Sequence, residues 1–328
     1  MYIKKMITTL SMLVLVIGTT ACYGPEPKAP ANKVEHKQSN IPTIYTVNYP
    51  LAAIASFISG DLAEVYFPAT SGEDPAEWRP SAETIIRFQS ADRVLLNGAN
   101  YAKWLSQVSL SHERLVNTGL SFQDKWLPLT ENVIHSHGLK GKHSHNGYAF
   151  SIWMNFELAA QQAGVIGETL MTLLPQVQPL ITQRTKKTQA RLRQWDARIQ
   201  AATQKLWGDE QVLFSHPVYQ YFEQRYHVNG LSLHWEPNKI PSDADWAQIK
   251  KLLEKSRQEG KPLDWMVWEA QPMAETATRL EQLGLKVFVF SPLAGNQKAT
   301  EETSQVNPER YWNYMESSIA EMEALANE

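Results

Sequence analysis

At 328 residues the chain is long enough for two domains or one large one. Its 43% hydrophobic and 20% charged residues allow a sizeable buried core. A net charge of −3 with no long run of one sign excludes the basic footprint of a nucleic-acid binder.

In chain order, the first element is an export signal. "MYIKKMITTLSMLVLVIGTTAC" has a short lysine-bearing start, an apolar stretch from about Leu10 to Gly18 and then small residues. It is too short to anchor stably across a membrane by itself. Cys22, the only cysteine, closes this segment behind Ala21, an arrangement that resembles a bacterial lipoprotein cleavage site. Thr19 stands where such sites usually carry leucine, so a cleavable signal with an incidental cysteine is the other reading. On either reading the protein is exported, and a lone cysteine forms no intrachain disulfide. "YGPEPKAPANKVEHKQSN" follows, too polar and proline-rich to build a core, and is expected to be a tether.

Strand and helix then alternate. "TIYTV", "AEVYFPA" and "DRVLLNG" read as strands, separated by the helices "PLAAIASFIS" and "PSAETIIRFQS". After a histidine-rich loop, "FELAAQQAGVIGETLMTLL" reads as a helix. About thirty residues of helix-forming composition without glycine come next, a rod of about 45 Å that would suit a rigid spacer. The alternation resumes with strands "QVLFS", "GLSLHW", "LDWMVWE" and "KVFVFS" and their intervening helices, and a closing helix begins near Pro308. The expected fold is α/β: two mainly parallel-sheet lobes joined by one long helix, with a ligand cleft between them. The divisions are 1–22 signal, 23–40 tether, 41–175 first lobe, 176–207 linking helix and 208–328 second lobe.

Open α/β sheets bind ligands beyond the carboxyl ends of their strands. There the sequence offers Glu73, Asp74, Glu77, His216, Glu269 and Ser291. The three acids could equally be loop and cap residues, His216 a structural imidazole, and Glu269 a carboxylate holding backbone amides. His112, His227 and His234 show no partner spacing, and the tryptophans read as packing. The loop "HSHGLKGKHSHNGYAF" carries His135, His137, His143 and His145, four of the nine histidines, as two His-x-His pairs. Imidazoles without thiols favour zinc, copper or nickel over magnesium or calcium. The loop therefore reads as a collector or sensor of metal, against the plainer reading of a solvated polar segment.

"EDPAEWRPSAETIIRFQSADRVLLNGANYAKWL", "HWEPNKIPSDADWAQI" and "VWEAQPMAETATRLEQLGLKVFVFSPL" resemble, in order, segments of the zinc- and manganese-binding subunits of bacterial ABC importers. The resemblance covers nearly all of the mature chain. It implies two lobes joined by a long helix, a metal held between them, an importer permease as partner, no enzymatic activity and a monomeric state. It also implies four ligand positions, which fall here on Ala76, Ser151, His216 and Ser291, so His216 alone keeps a metal-binding side chain. Glu77 and Asp74 flank the first lost position, and His143 and His145 precede the second, so either group could supply replacement donors. The expected function is capture of a divalent transition metal, zinc foremost. The alternative is a family member turned accessory module for another ligand or partner. A periplasmic metallohydrolase ranks third, since no HExxH or nucleophile elbow is present.

Overall fold

Residues 41–69, 76–129, 147–261, 263–295 and 306–328 are described in a computed structural model. The first lobe starts with β1 (Thr43–Thr46), a β-branched and aromatic run that becomes buried along its length. Asn48 then caps α1 (Tyr49–Ser59), its Oδ1 accepting the Leu51 N–H at 3.0 Å. Pro50 lies in the first turn, where a missing N–H breaks no helical bond. Gly60 ends the helix at φ 59, a left-handed geometry that glycine tolerates. The lobe continues through β2 (Glu64–Tyr66), α2 (Ala82–Ser90), β3 (Arg93–Leu96) and β4 (Leu115–Asn117).

α3 (Phe156–Leu173) and α4 (Gln178–Leu206) lead into the second lobe. There β5 (Gln211–Phe214), α5 (Gln220–Tyr226), β6 (Asn229–Ser232), α6 (Asp243–Gln258), β7 (Trp265–Trp268), α7 (Ala274–Gln282) and β8 (Lys286–Val289) follow. α8 (Pro308–Leu325) closes the chain against α1 and α4. Both sheets are parallel and four-stranded, in the orders β2-β1-β3-β4 and β6-β5-β7-β8. Each lobe therefore repeats one winding. The chain moves outward from its first strand, then crosses back to add the third and fourth on the other side. The switch points lie between β1 and β3 and between β5 and β7, where parallel α/β sheets open a crevice.

Strand alternation divides the packing of the second sheet. Val212, Phe214, Val267 and Phe288 join the large core that also contains β1, α1, α3, α4 and α8. Leu213, Met266 and Trp268 face a second core under α6 and α7. The long helix is not a free-standing spacer. Ile181, Thr185, Thr188, Leu192, Trp195, Ile199 and Ala202 form a buried stripe at helical spacing along its length. Its approach to α3 is so close that a Cβ on Gly167 would collide with Thr185. Arg198 on the same helix holds Glu316 and Glu323 of α8 at 2.5 and 2.7 Å.

Candidate functional site

The row of side chains at the carboxyl end of the second sheet follows from strand register. Phe214 pairs with Ser232 on one side and with Val267 on the other. Two residues further along each strand stand His216, His234 and Glu269, so they extend one row across β6, β5 and β7. The ladder persists beyond the strand ends, with Leu233 N–H donating to the Phe214 carbonyl at 2.8 Å and Ser215 N–H to Val267 at 2.9 Å. His216 and Glu269 flank the switch point and are half-buried, while His234 is exposed. The His216 and His234 rings stand 5.9 Å apart between centroids and almost perpendicular, at 87°.

Tyr219 braces this row from below. Its hydroxyl donates to the Phe290 carbonyl at 2.8 Å, tying α5 to the end of β8. Burial, and then the nearby Glu269 carboxylate, push its ionisation far above the usual tyrosine range, so it is a fixed neutral donor. The helix after His216 begins at Gln220. Val218 N–H bonds back to the His216 carbonyl at 2.9 Å, so the intervening residues form a turn.

The corresponding crevice of the first lobe is built from amides. Asn48 Nδ2 donates to Asn97 Oδ1 at 3.2 Å, and Asn97 Nδ2 to the Phe150 carbonyl at 2.8 Å. Gln162 Nε2 donates to Thr118 Oγ1 at 2.9 Å. These buried bonds join β1, β3, β4 and α3 to the segment that leads into Ser151. Gly98, Ala99 and Asn100 follow with φ of 91, 50 and 55°, turning the chain sharply. Gly98 is required there twice over, since a Cβ would also lie 2.9 Å from the Trp126 ring. A cavity of about 450 Å³ opens beside this turn, lined by Asn97, Asn100, Tyr101, Lys103 and Asn117.

The positions marked out by the family resemblance are placed as follows. Ala76 is fully buried and presents only a methyl group, and Ser151 is buried at 1% exposure. Ser291 is half-buried, its N–H donating to Tyr314 Oη at 2.7 Å and its Oγ accepting the Leu293 N–H at 3.2 Å. Trp153 Nε1 donates to the Pro292 carbonyl at 2.7 Å, which joins the Ser151 and Ser291 segments. Glu77 is directed to an ion pair with Lys103, both side chains being 62% exposed. Asp74, Glu73, His135, His137, His143 and His145 lie outside the described residues. Among the described residues no group of three or more histidine, cysteine, aspartate or glutamate side chains is gathered around a point that could hold a metal ion. The imidazole beside His216 belongs to His234, which nothing along the chain singles out. Its only signal is register, eighteen residues away along the chain and one strand away in the sheet.

Two parallel sheets of identical winding, a packed helix between them and polar side chains at both switch points define a two-lobed α/β protein. The chain belongs to the family described as ZnuA, zinc-uptake complex component A, periplasmic, whose model matches residues 44–325. The zinc-binding lipoprotein AdcA of Streptococcus pneumoniae is 23% identical over 287 residues, covering 84% of this chain and 54% of that protein. This chain therefore spans about half the length of that relative. The manganese ABC transporter substrate-binding lipoprotein PsaA of Streptococcus pneumoniae is 24% identical over 262 residues, covering 78% of this chain and 79% of that one. The crystal structure of the zinc-bound ZnuA-like domain of AdcA matches with a TM-score of 0.68 at 17% identity, over 88% of this chain and 100% of that one. At such identity the likeness is one of fold.

Proposed function

We propose that this protein is an exported solute-binding subunit that captures a divalent transition metal, zinc foremost, for an ABC importer. The observation that carries the reading is His216. It keeps an imidazole at the one ligand position of the family pattern that retains a donor, and it stands at the switch point of the second sheet. Relatives named for zinc and for manganese both fall within the family. Nitrogen donors favour zinc over manganese, which prefers carboxylate and water oxygen. In this reading residues 1–22 direct export, Cys22 carries a lipid anchor, and residues 23–40 let the lobes reach a permease. The protein binds and releases its cargo without chemical turnover.

A second reading rests on Ala76 and Ser151. Both are buried and neither offers a strong metal donor, so the lobes would serve as an accessory module for another ligand or partner. Metal analysis of the purified mature protein, followed by competing zinc and manganese titrations, separates the two. Zinc bound in preference to manganese supports capture. Failure to bind either metal supports the accessory module.

A further inference from the structure

The geometry points to His216 and His234 as a chelating pair, a transition-metal site built within the second lobe alone. This rests on the metal-capture reading and goes beyond it. It assigns His234 as a ligand where the family pattern has none, and it needs no donor from Ala76, Ser151 or Ser291.

Two imidazoles bound to one tetrahedral zinc, with Zn–N bonds of 2.0–2.1 Å, place their ring centroids roughly 5 Å apart. The rings of His216 and His234 are already at 5.9 Å. That separation is within about 1 Å of the chelating distance. The two rings are carried on adjacent strands and stand almost perpendicular, at 87°. The backbone beneath them is fixed. Trp235 N–H donates to the Ser215 carbonyl at 2.7 Å, and Leu233 N–H to Phe214 at 2.8 Å. His216 thus adjoins Ser215, and His234 adjoins Leu233 and Trp235, residues whose hydrogen bonds tie the two strands together.

The surroundings favour an open site over a closed one. His234 is exposed, so an ion could enter directly from solvent. Trp235, the next residue, is buried against Trp246 with ring centroids 5.0 Å apart, which holds the end of this segment in place. Glu269 stands one strand further along the same row but does not complete a three-donor cluster in this structure. Two imidazoles leave the other positions of the ion to water or to oxygen donors. Such a site should prefer zinc, copper or nickel to manganese. It should also exchange its ion more readily than a site closed by four protein ligands, which suits a protein that must hand its cargo on.

The test is a double-mutant cycle on the full mature chain, with zinc as the probe and calorimetry as the readout. His234→Ala should weaken the tightest zinc site by about tenfold or more, as should His216→Ala. The double variant should be no weaker than the worse single variant, because both groups hold one ion. Far-UV circular dichroism of the zinc-free variants checks that each is folded. Should His234→Ala fold poorly, imidazole NMR of the wild-type chain serves instead, with zinc shifting the His216 and His234 ring signals in step. Wild-type affinity in His234→Ala, or losses that simply add in the double variant, would overturn the pairing and leave metal capture standing. A wild-type chain that binds no zinc would overturn both.

Discussion

The indole N–H of Trp153 donates to the carbonyl of Pro292 at 2.7 Å, a buried bond between residues 139 positions apart. It joins the end of the Ser151 segment in the first lobe to the Ser291 segment after β8. Trp153→Phe keeps an aromatic ring but removes the donor, leaving a buried carbonyl without this partner. The expected loss is about 1–3 kcal/mol of unfolding free energy, read from the midpoint of a urea transition. An unchanged midpoint would mean that the contact contributes nothing net.

Asp196 on the long helix plays the matching part for α5. Its carboxylate takes Arg225 Nε at 2.9 Å and Nη2 at 2.5 Å, and also accepts the Tyr226 hydroxyl at 3.0 Å. The aspartate side chain is 8% exposed and the arginine 34%, so the pair is only partly shielded from water. Asp196→Asn should cost about 2 kcal/mol, below the range for a fully buried pair because the guanidinium stays partly solvated. Chemical denaturation at neutral pH measures it. A loss below about 0.5 kcal/mol would place this contact with ordinary surface pairs.

Glu223 predicts a pH dependence of opposite sign to that of most carboxylates. Burial pushes its ionisation from 4.5 up to about 7. The folded chain therefore keeps this proton where the unfolded chain has lost it. The stabilisation is fully present below about pH 4.5 and is lost as pH rises through about 7. Glu223→Gln stays neutral throughout. It should match the wild type at pH 4.5 and exceed it above pH 7 by up to about 3 kcal/mol. Paired urea titrations at the two pH values read the difference, and a gap that does not widen with pH would sink the assignment.

Most of the fold was legible in the sequence because its strands are short apolar runs separated by well-capped helices. Asn48, Ser81 and Ser242 all cap helices that the pattern had located. β4 was missed: it is three half-buried residues between two 3-10 turns, too short for any periodicity. The site was less legible because its partners are made by strand pairing. Nothing along the chain links His216 to His234, and only the β5–β6 register brings them together. Glu77 looked like a replacement donor through adjacency to Ala76, yet its carboxylate meets Lys103, twenty-six residues further on.

If imidazoles hold the metal, zinc affinity should fall as pH drops from 7.5 through about 6.5, where free histidine takes up a proton and loses its lone pair. Binding held by carboxylates would persist to about pH 5. Calorimetry at fixed ionic strength across this interval decides between them, and a flat affinity would remove histidine from the principal site.

Metal capture at His216 is decided by a zinc titration of the mature wild-type chain beside His216→Ala. His216 is half-buried at a strand end, so the variant should keep its secondary structure. The tightest zinc site should disappear, while weaker binding through the histidine-rich loop remains. A folded His216→Ala protein that binds zinc with unchanged affinity and stoichiometry would contradict metal capture there.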